Sequence, residues 1–379
     1  MHQLTKYDIA IIGGGLAGLS LAIQCAKNGF TTALYEKETY PFHKVCGEYI
    51  SLESEDFLAS LGISIKDLQL PIIKQLHITD GYGNLYQFNL PLGGFGISRF
   101  MLDEMLYQIA LQVGVHVFTN TKVQSIVFNN HHFSISTNQH QYKATIAVGS
   151  FGKRSNLDVK LKRPFINHKK GRLQNYIGIK YHIKYAYPNN LITLHNFKNG
   201  YCGISKIEGD KYCLCYLTTA NNLKVNNSSI KQMEASVLHK NPQLKHIFNN
   251  AEFLYQEPLA ISQISFSKKA QVEDHILMIG DTAGLITPLC GNGMSMALHA
   301  SKLAFNQIKA YLNQDISRRD MEINYTNNWR EHFSKRLFIG RLVQRLFGGT
   351  LSTYIFLKMM SHNKWLAKTI ISATHGKVF

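Results

Sequence analysis

A glycine-rich turn between an apolar strand and a helix constrains this chain more than any other feature. Gly13-Gly14-Gly15-Leu16-Ala17-Gly18 fits GxGxxG. It follows Tyr7–Ile12, which reads as a short buried strand, and opens Leu16–Asn28, which reads as a helix ending before Gly29. Thr31–Glu36 is apolar and β-rich and reads as a second strand, so the whole closes as a βαβ unit. Each glycine has its own task. Gly13 permits the tight turn, Gly15 lets backbone approach a pyrophosphate, and Gly18 lets helix pack on strand. The helix N-terminus, with Ala17 in its first turn, offers free N–H groups to phosphate. Glu36 ends the second strand, where an acid binds ribose hydroxyls and disfavours a 2′-phosphate.

The remaining pattern extends this start. Phe42–Ser51 reads as a polar loop and Leu52–Leu61 as a helix. Leu76–Leu90 reads as a hairpin turning at Asp80–Gly83, and Arg99–Val113 as a helix. Short strands are expected at Val115–Phe118, Val123–Phe128, His132–Thr137 and Tyr142–Val148. Tyr176–Tyr216 alternates like an antiparallel sheet, and a helical stretch follows near Ser228–His239. Ile276–Ile279 is another buried strand, followed by a helix carrying Met294, Leu298 and Leu303. From Ser334 the chain reads as helical, basic and apolar.

Composition agrees with a folded α/β protein: 45% hydrophobic and 17% charged residues. The net charge of +17 is scattered, without a block of like charges, which argues against nucleic acid and leaves a membrane surface open. None of the six cysteines forms a CxxC pair, so no metal site is suggested. No export signal is read at the start, and cytoplasm is the expected location. No apolar run is long enough to span a bilayer.

A second motif stands far down the chain: Ile279-Gly280-Asp281-Thr282-Ala283-Gly284, then Pro288, Gly291, Gly293 and Met294. With GGGLAG and Glu36, this GDTAGLITPLCGNGM stretch resembles FAD-dependent oxidoreductases of the aromatic-hydroxylase (group A flavoprotein monooxygenase) and geranylgeranyl-reductase superfamily. The resemblance covers about residues 5–310. It implies a Rossmann-type, glutathione-reductase-like FAD domain with an inserted antiparallel substrate domain and a C-terminal helical segment. The expected bounds are 1–75, 93–165 and 270–310 for the first, 76–92 and 166–269 for the second, and 311–379 for the third.

The same resemblance implies site roles. Asp281, after Gly280, would bond the ribityl chain, and Pro288 would lie beside the isoalloxazine. Gly291–Met294 would open a helix whose N–H groups face the anionic locus of reduced flavin. Arg99, Lys37 and Val123 would also contact FAD. HKVCGEYIS resembles the KxCGE loop of the reductases, which puts Cys46 near the flavin; a small buried thiol is the plainer reading. Cys290 is a second thiol within the distal motif. Glu48 is a candidate acid, or equally a helix cap. Tyr201 matches the tyrosine of a reductase substrate strand, whose Trp and Phe-Pro are missing here.

NAD(P)H is the donor that the superfamily implies, although Phe151 stands where the hydroxylases carry an Asp. The expected activity is monooxygenase-like, on a lipophilic small molecule, with double-bond reduction as the alternative. A flavin-binding member of a lipid-pathway complex without turnover is the reading from another class. In the tail, Phe338, Leu342 and Leu346 form one helical row, Ile339, Val343 and Phe347 a second, and Arg341 with Arg345 a third. These rows suit peripheral contact with a membrane or the entry to a greasy tunnel; a helix docked on the protein's own core is the commoner arrangement.

Overall fold

The computed structural model describes residues 5–166, 174–287 and 291–379. β1 (Lys6–Ile12) runs into the glycine turn, α1 (Leu16–Lys27) follows, and β2 (Thr32–Tyr35) pairs parallel with β1. β2 is buried throughout, as a parallel strand covered on both faces must be. Gly29, at φ +83°, reverses the chain just past the helix.

The stretch read as a loop ends in a strand, β3 (Tyr49–Ser51), because its backbone pairs with Gly94–Gly96. A 3-10 turn at Leu52–Ser54 leads into α2 (Glu55–Leu61). The expected hairpin is real and longer: β4 (Ile72–Thr79) with β5 (Leu85–Gly96). At its turn the Asp80 carboxylate accepts the N–H groups of Tyr82 and Asn84, at 2.9 and 3.0 Å. α3 (Arg99–Gln112) follows, capped by the Ser98 hydroxyl. Then come β6 (His116–Phe118), β7 (Val123–Asn129), β8 (His132–Thr137), β9 (Gln141–Gly149) and the short α4 (Asn156–Lys160).

The second half begins with β10 (Gln174–Lys184), β11 (Leu191–Phe197), β12 (Gly200–Lys206) and β13 (Tyr212–Thr219). Three short helices, α5 (Ala220–Lys224), α6 (Ile230–Ser236) and α7 (Pro242–Asn250), cover part of this sheet. After them run β14 (Glu252–Phe253), β15 (Leu259–Ser265), β16 (Val272–Glu273) and β17 (Ile276–Met278). Four helices complete the chain: α8 (Gly293–Leu312), α9 (Arg318–Leu346), α10 (Thr350–His362) and α11 (Lys364–Thr374).

The strands form two sheets. The first has the order β16-β17-β9-β1-β2-β6, parallel from β17 to β6, with β7 and β8 joined antiparallel beside β9. The second has the order β14-β10-β13-β12-β11-β4-β5-β3, with β15 also on β10. It is antiparallel except for β11 on β4. The chain thus leaves the first sheet twice, for β3–β5 and again for β10–β15, and returns the second time through β17 beside β9, as the separation of the two glycine motifs requires.

The tail departs from its expected start. α9 begins at Arg318 rather than near Ser334, with a capping box between Ser317 and Asp320. Its early turns are polar overall, but Met321, Tyr325, Trp329 and Phe333 recur every fourth residue and all are buried. That single row docks α9 on the main core.

Where β5 ends, Gly96 lies against the backbone of β12: a Cβ there would sit 1.8 Å from the Lys206 carbonyl oxygen. Gly96→Ala should therefore force backbone apart and destabilise the protein by about 1–3 kcal/mol. Urea unfolding would show this as a lower midpoint with an unchanged slope. An unchanged midpoint would mean that the two segments do not meet.

Candidate cofactor and active site

The three glycines of the turn are distinguished by what surrounds them. Gly13 has φ +109°, and a Cβ would fall 2.3 Å from the Ser150 carbonyl oxygen. At Gly18 a Cβ would meet the Gly13 carbonyl oxygen at 2.1 Å, so α1 packs directly on the turn. Gly15 is the open one. Nothing lies within 3.8 Å of its Cβ position, and what lies there is the Arg99 guanidinium and the Lys44 ammonium. A backbone N-terminus with two cations beside bare space is a site for an anion. Ala17 is buried in the first turn, under Gly280.

Glu36 is buried, with its Oε2 accepting the Gly14 N–H at 2.9 Å and its Oε1 the Glu38 N–H at 3.1 Å. Tyr40 donates to the Gly14 carbonyl at 2.5 Å and closes the turn from outside. Lys37 instead points to the surface and pairs with Glu38 at 3.3 Å. Val123 is buried in the main core at the start of β7.

Arg99 occupies the first turn of α3 and grips Asp103 one turn on, through Nε at 2.8 Å and Nη2 at 2.7 Å. Lys44 binds the same carboxylate at 3.0 Å. Burial pushes the Asp103 carboxyl up, but the two cations outweigh it and hold it below the ordinary carboxylate range. Lys44 and Asp103 were not singled out from sequence. The Arg99–Asp103 spacing of four on a predicted helix was the available signal.

The distal motif folds back onto the first. Gly280, at φ +57°, sits against Ala17, where its Cβ would be 3.1 Å from the alanine methyl. Thr282 accepts the Gly152 N–H at 2.9 Å and donates to the Gly152 carbonyl at 3.1 Å. This ties the stretch containing Phe151 to the distal motif. Burial raises the Asp281 carboxyl above its usual range, opposed by the nearby charges of Lys269, Arg99 and Lys153. Burial in turn lowers Lys153 and Lys269 to about 8 each. These two lysines are further site residues without a sequence signal. Gly291, at φ +66°, meets the Tyr49 ring, and Gly293 with buried Met294 begins α8. Pro288 and Cys290 lie outside the described residues.

The loop 43–48 is anchored by Glu48, which is fully buried at φ +55°. Its carboxylate accepts the Arg99 N–H at 2.8 Å and His182 Nε2 at 2.6 Å, and pairs with the buried Lys180 ammonium. Burial pushes this carboxyl up; the His182 hydrogen bond and the Lys180 charge prevail and hold it below the ordinary range. Glu48 thus does cap a helix, but it is α3 and not the segment next in sequence. Tyr255 bridges His182 at 2.7 Å and His43 at 3.2 Å. Cys46 lies in this loop, half-buried, and its carbonyl accepts the Cys213 thiol at 3.2 Å. Burial raises the Cys46 thiol, which favours the neutral form. Glu48, His182 and Cys213 bring ligand-type atoms within 4.8 Å of one another, a grouping that cysteine spacing did not reveal. Lys180 and His182 already occupy the carboxylate, and burial pushes the Cys213 thiol far up, so the group reads as a hydrogen-bonded network.

Comparison with known proteins fits this arrangement. The family described as pyridine nucleotide-disulphide oxidoreductase matches residues 7–175. The flavin-dependent brominase Bmp2 superposes with a TM-score of 0.79 at 20% identity, covering 99% of this chain and 94% of that one. Digeranylgeranylglycerophospholipid reductase 3 of Methanosphaera stadtmanae is 22% identical over 364 residues, which are 88% of this chain and 85% of that protein. Conditioned medium factor receptor 1 of Dictyostelium discoideum is 24% identical over 356 residues, 86% of this chain and 68% of that protein.

The chain is an FAD-dependent oxidoreductase. Its fold is that of the flavin-dependent halogenases, and along most of its length it is similar in sequence to geranylgeranyl-type reductases. Its cofactor is FAD. The residues present fit that group: a bare Gly15 beside two cations for the phosphates, and a buried carboxylate immediately past β2 for a ribose. None of the described helices is long and apolar enough to cross a membrane.

Beside this oxidoreductase's distal motif opens an apolar cleft. Leu76, Ile78 and Leu194 of the second sheet form its floor, and Phe356, Met360 and Ile370 of α10 and α11 its roof. Tyr49 and Gly291 line one end. Tyr201 does not line it. It is buried in a cluster with Leu194, Phe347 and Phe356, behind the wall.

Two outcomes follow from these contacts. Glu36→Ala removes an acceptor that also fixes Gly14, so FAD affinity should fall by one to two decades, equivalent to about 1.5–3 kcal/mol. Fluorescence titration of apoprotein with FAD reads this directly, and an unchanged affinity would mean that Glu36 does not face the ribose.

Glu48→Gln leaves Lys180 buried without a counter-charge and should cost about 3–5 kcal/mol at neutral pH. Because the folded-state carboxyl lies below its usual value, its contribution is complete above the ordinary carboxylate range. It is lost as pH falls through the lowered value. Wild-type stability should therefore drop more steeply than that of Glu48→Gln below about pH 5, as urea midpoints across that range would show. Parallel acid limbs would contradict the assignment.

Proposed function

We propose that this oxidoreductase acts on a lipophilic small molecule held in the cleft between the second sheet and the C-terminal helices. The observation that carries this reading is the cleft's chemistry. Its floor and roof are aliphatic and aromatic, and its end at Gly291 adjoins the turn that opens α8. Such a lining desolvates an apolar chain at little cost and offers few partners to a polar one.

In this reading the glycine turn and the start of α1 would hold the phosphates of FAD, with Lys44 and Arg99 beside them, and Glu36 would hold a ribose. Asp281 and the Gly291–Met294 turn would hold the flavin end. Bound FAD, reduced by NAD(P)H or another donor, would supply a hydride for a double bond, with the balancing proton from solvent, or two electrons for oxygen. The chain's own residues position the two partners. The Glu48 network holds Cys46 and the 43–48 loop, and α10 with α11 excludes water from the cleft.

Reduction of a double bond is the reaction the lining favours, since an alkene needs shape and dryness but no charged partner. The reductase relative from Methanosphaera stadtmanae, named for a lipid substrate, adds support. Hydroxylation is the second reading, supported by His375. This cleft residue donates Nδ1–H to the Ile371 carbonyl at 2.8 Å, which leaves its Nε2 as an acceptor. Burial lowers its pKa, keeping it the neutral base that hydroxylation of a phenol requires.

The test uses holoprotein reduced without air and a geranylgeranyl-chain lipid as probe. A product heavier by two hydrogens supports reduction, and one heavier by an oxygen atom after admitting air supports hydroxylation. Ile370→Trp, which fills the roof, should weaken probe binding at least about tenfold, or roughly 1.4 kcal/mol, and leave FAD binding intact. Undiminished probe binding in that variant would remove the cleft as the substrate site.

A further inference from the structure

The C-terminal helices that roof the cleft are apolar on both sides. The inner side of α10 presents Phe356, Leu357 and Met360, all buried. The outer side presents Leu351, Ile355 and Met359, spaced by four and 66%, 54% and 50% exposed. Phe338 and Leu342 continue this on α9, at 63% and 50%, and Trp365 at the start of α11 is 74% exposed. Of the seventeen large apolar side chains exposed among the described residues, seven lie within 338–379. A helix apolar all round belongs in a core or against another apolar phase. In this structure only the inner face has found one.

Charge identifies the other phase. From 332 to the last residue the chain carries eight Lys or Arg and no Asp or Glu; of these, Arg336 is buried against Glu53 and does not count toward the surface. Arg345 and Lys358 are exposed on the same helices as the apolar rows. A protein partner of ordinary composition would answer such a surface with mixed charges, whereas an anionic bilayer presents negative headgroups over an apolar interior across its whole face. Apolar residues beside snorkelling cations match that layering.

We propose that the outer face of α9–α11 docks on an anionic lipid bilayer, with the helices lying in the interface over the cleft. This deepens the reading of the cleft as a site for a lipophilic substrate, because a ligand leaving the bilayer would then have only the helical roof to pass. Leu342 and Val343, Ile355 and Phe356, and Met359 and Met360 are adjacent pairs, one member facing out and the other lining the cleft. The attraction of the basic residues decays over roughly 10 Å at 0.1 M salt, so binding is reversible and salt-sensitive.

The experiment is co-sedimentation of full-length holoprotein with vesicles of phosphatidylcholine alone or mixed with phosphatidylserine, at low and high salt. Binding to the anionic vesicles at low salt, reduced at least about tenfold at high salt, is expected. Leu351→Glu/Ile355→Glu/Met359→Glu changes only exposed side chains. It should keep its FAD and its unfolding midpoint and lose vesicle binding at least about tenfold. Wild-type protein that stays in the supernatant overturns the proposal, as does a folded triple variant that binds undiminished. A wild-type dimer that the triple variant converts to monomer would give the face to a second copy and overturns it as well. If the geranylgeranyl probe in detergent still binds the cleft while vesicles are ignored, the bilayer proposal fails alone. If vesicles bind while Ile370→Trp leaves probe binding unchanged, the cleft reading fails instead.

Discussion

The buried charge of Glu48 is the constraint on which the rest of this active-site architecture depends. Its carboxylate reaches the first backbone N–H of α3, the helix that carries Arg99 toward the glycine turn. It also reaches Lys180 and His182, neighbours on one face of β10 in the second sheet. One side chain therefore fixes α3, the 43–48 loop and the second sheet relative to one another. A carboxylate out of water is tolerated because all its partners are donors or cations, and each of them is equally committed to it. The left-handed backbone at Glu48 is the local expense of aiming it inward.

The two glycine motifs are joined by close approach of backbone. Gly280 has room for Ala17 and no more, and Gly18 rests on the Gly13 carbonyl. Thr282 then stitches the distal motif to Gly152. Small residues let the distal motif pack directly on α1 and α8, with the Gly280 Cβ position 3.1 Å from Ala17 and 3.8 Å from Ala297. The cations around Asp281 are individually expensive. Burial, helped by neighbouring cations, brings Lys153 and Lys269 down to about 8, although Asp281 stands beside them. A bound anion would relieve this, so occupancy by cofactor and stability of this region should rise together.

The oxidoreductase also spends apolar surface in an unusual place. α9 buries one row, from Met321 to Phe333, against α8, while its later turns and α10 carry apolar residues outward. The core-docked reading of the basic tail holds for one side of this helix, and the other side stays exposed. Val343 and Phe347 face the cleft, and Phe338 and Leu342 face solvent.

The sequence by itself determined the βαβ start, the second glycine motif and the insertion between them. These depend on local backbone needs that only glycine, an apolar strand or a helix start can meet, and such needs are written in consecutive residues. The hairpin at Asp80 and the four-residue rhythm of the helices were legible for the same reason. Tertiary structure alone decided which partners the isolated polar residues found. Nothing near Glu48 in the chain announces Lys180 and His182, and Lys153 and Lys269 looked like any surface lysine until folding placed them around Asp281. Tyr201, matched on sequence to a substrate-facing position, went behind the cleft wall, because strand alternation settles only which face a residue takes and packing decides what lies there. The early turns of α9 were hidden by their polar majority, since one buried row suffices to dock a helix. Local conformation is encoded within a few residues, but charge pairing, clefts and the exposure of an apolar row depend on distances that only the folded chain creates.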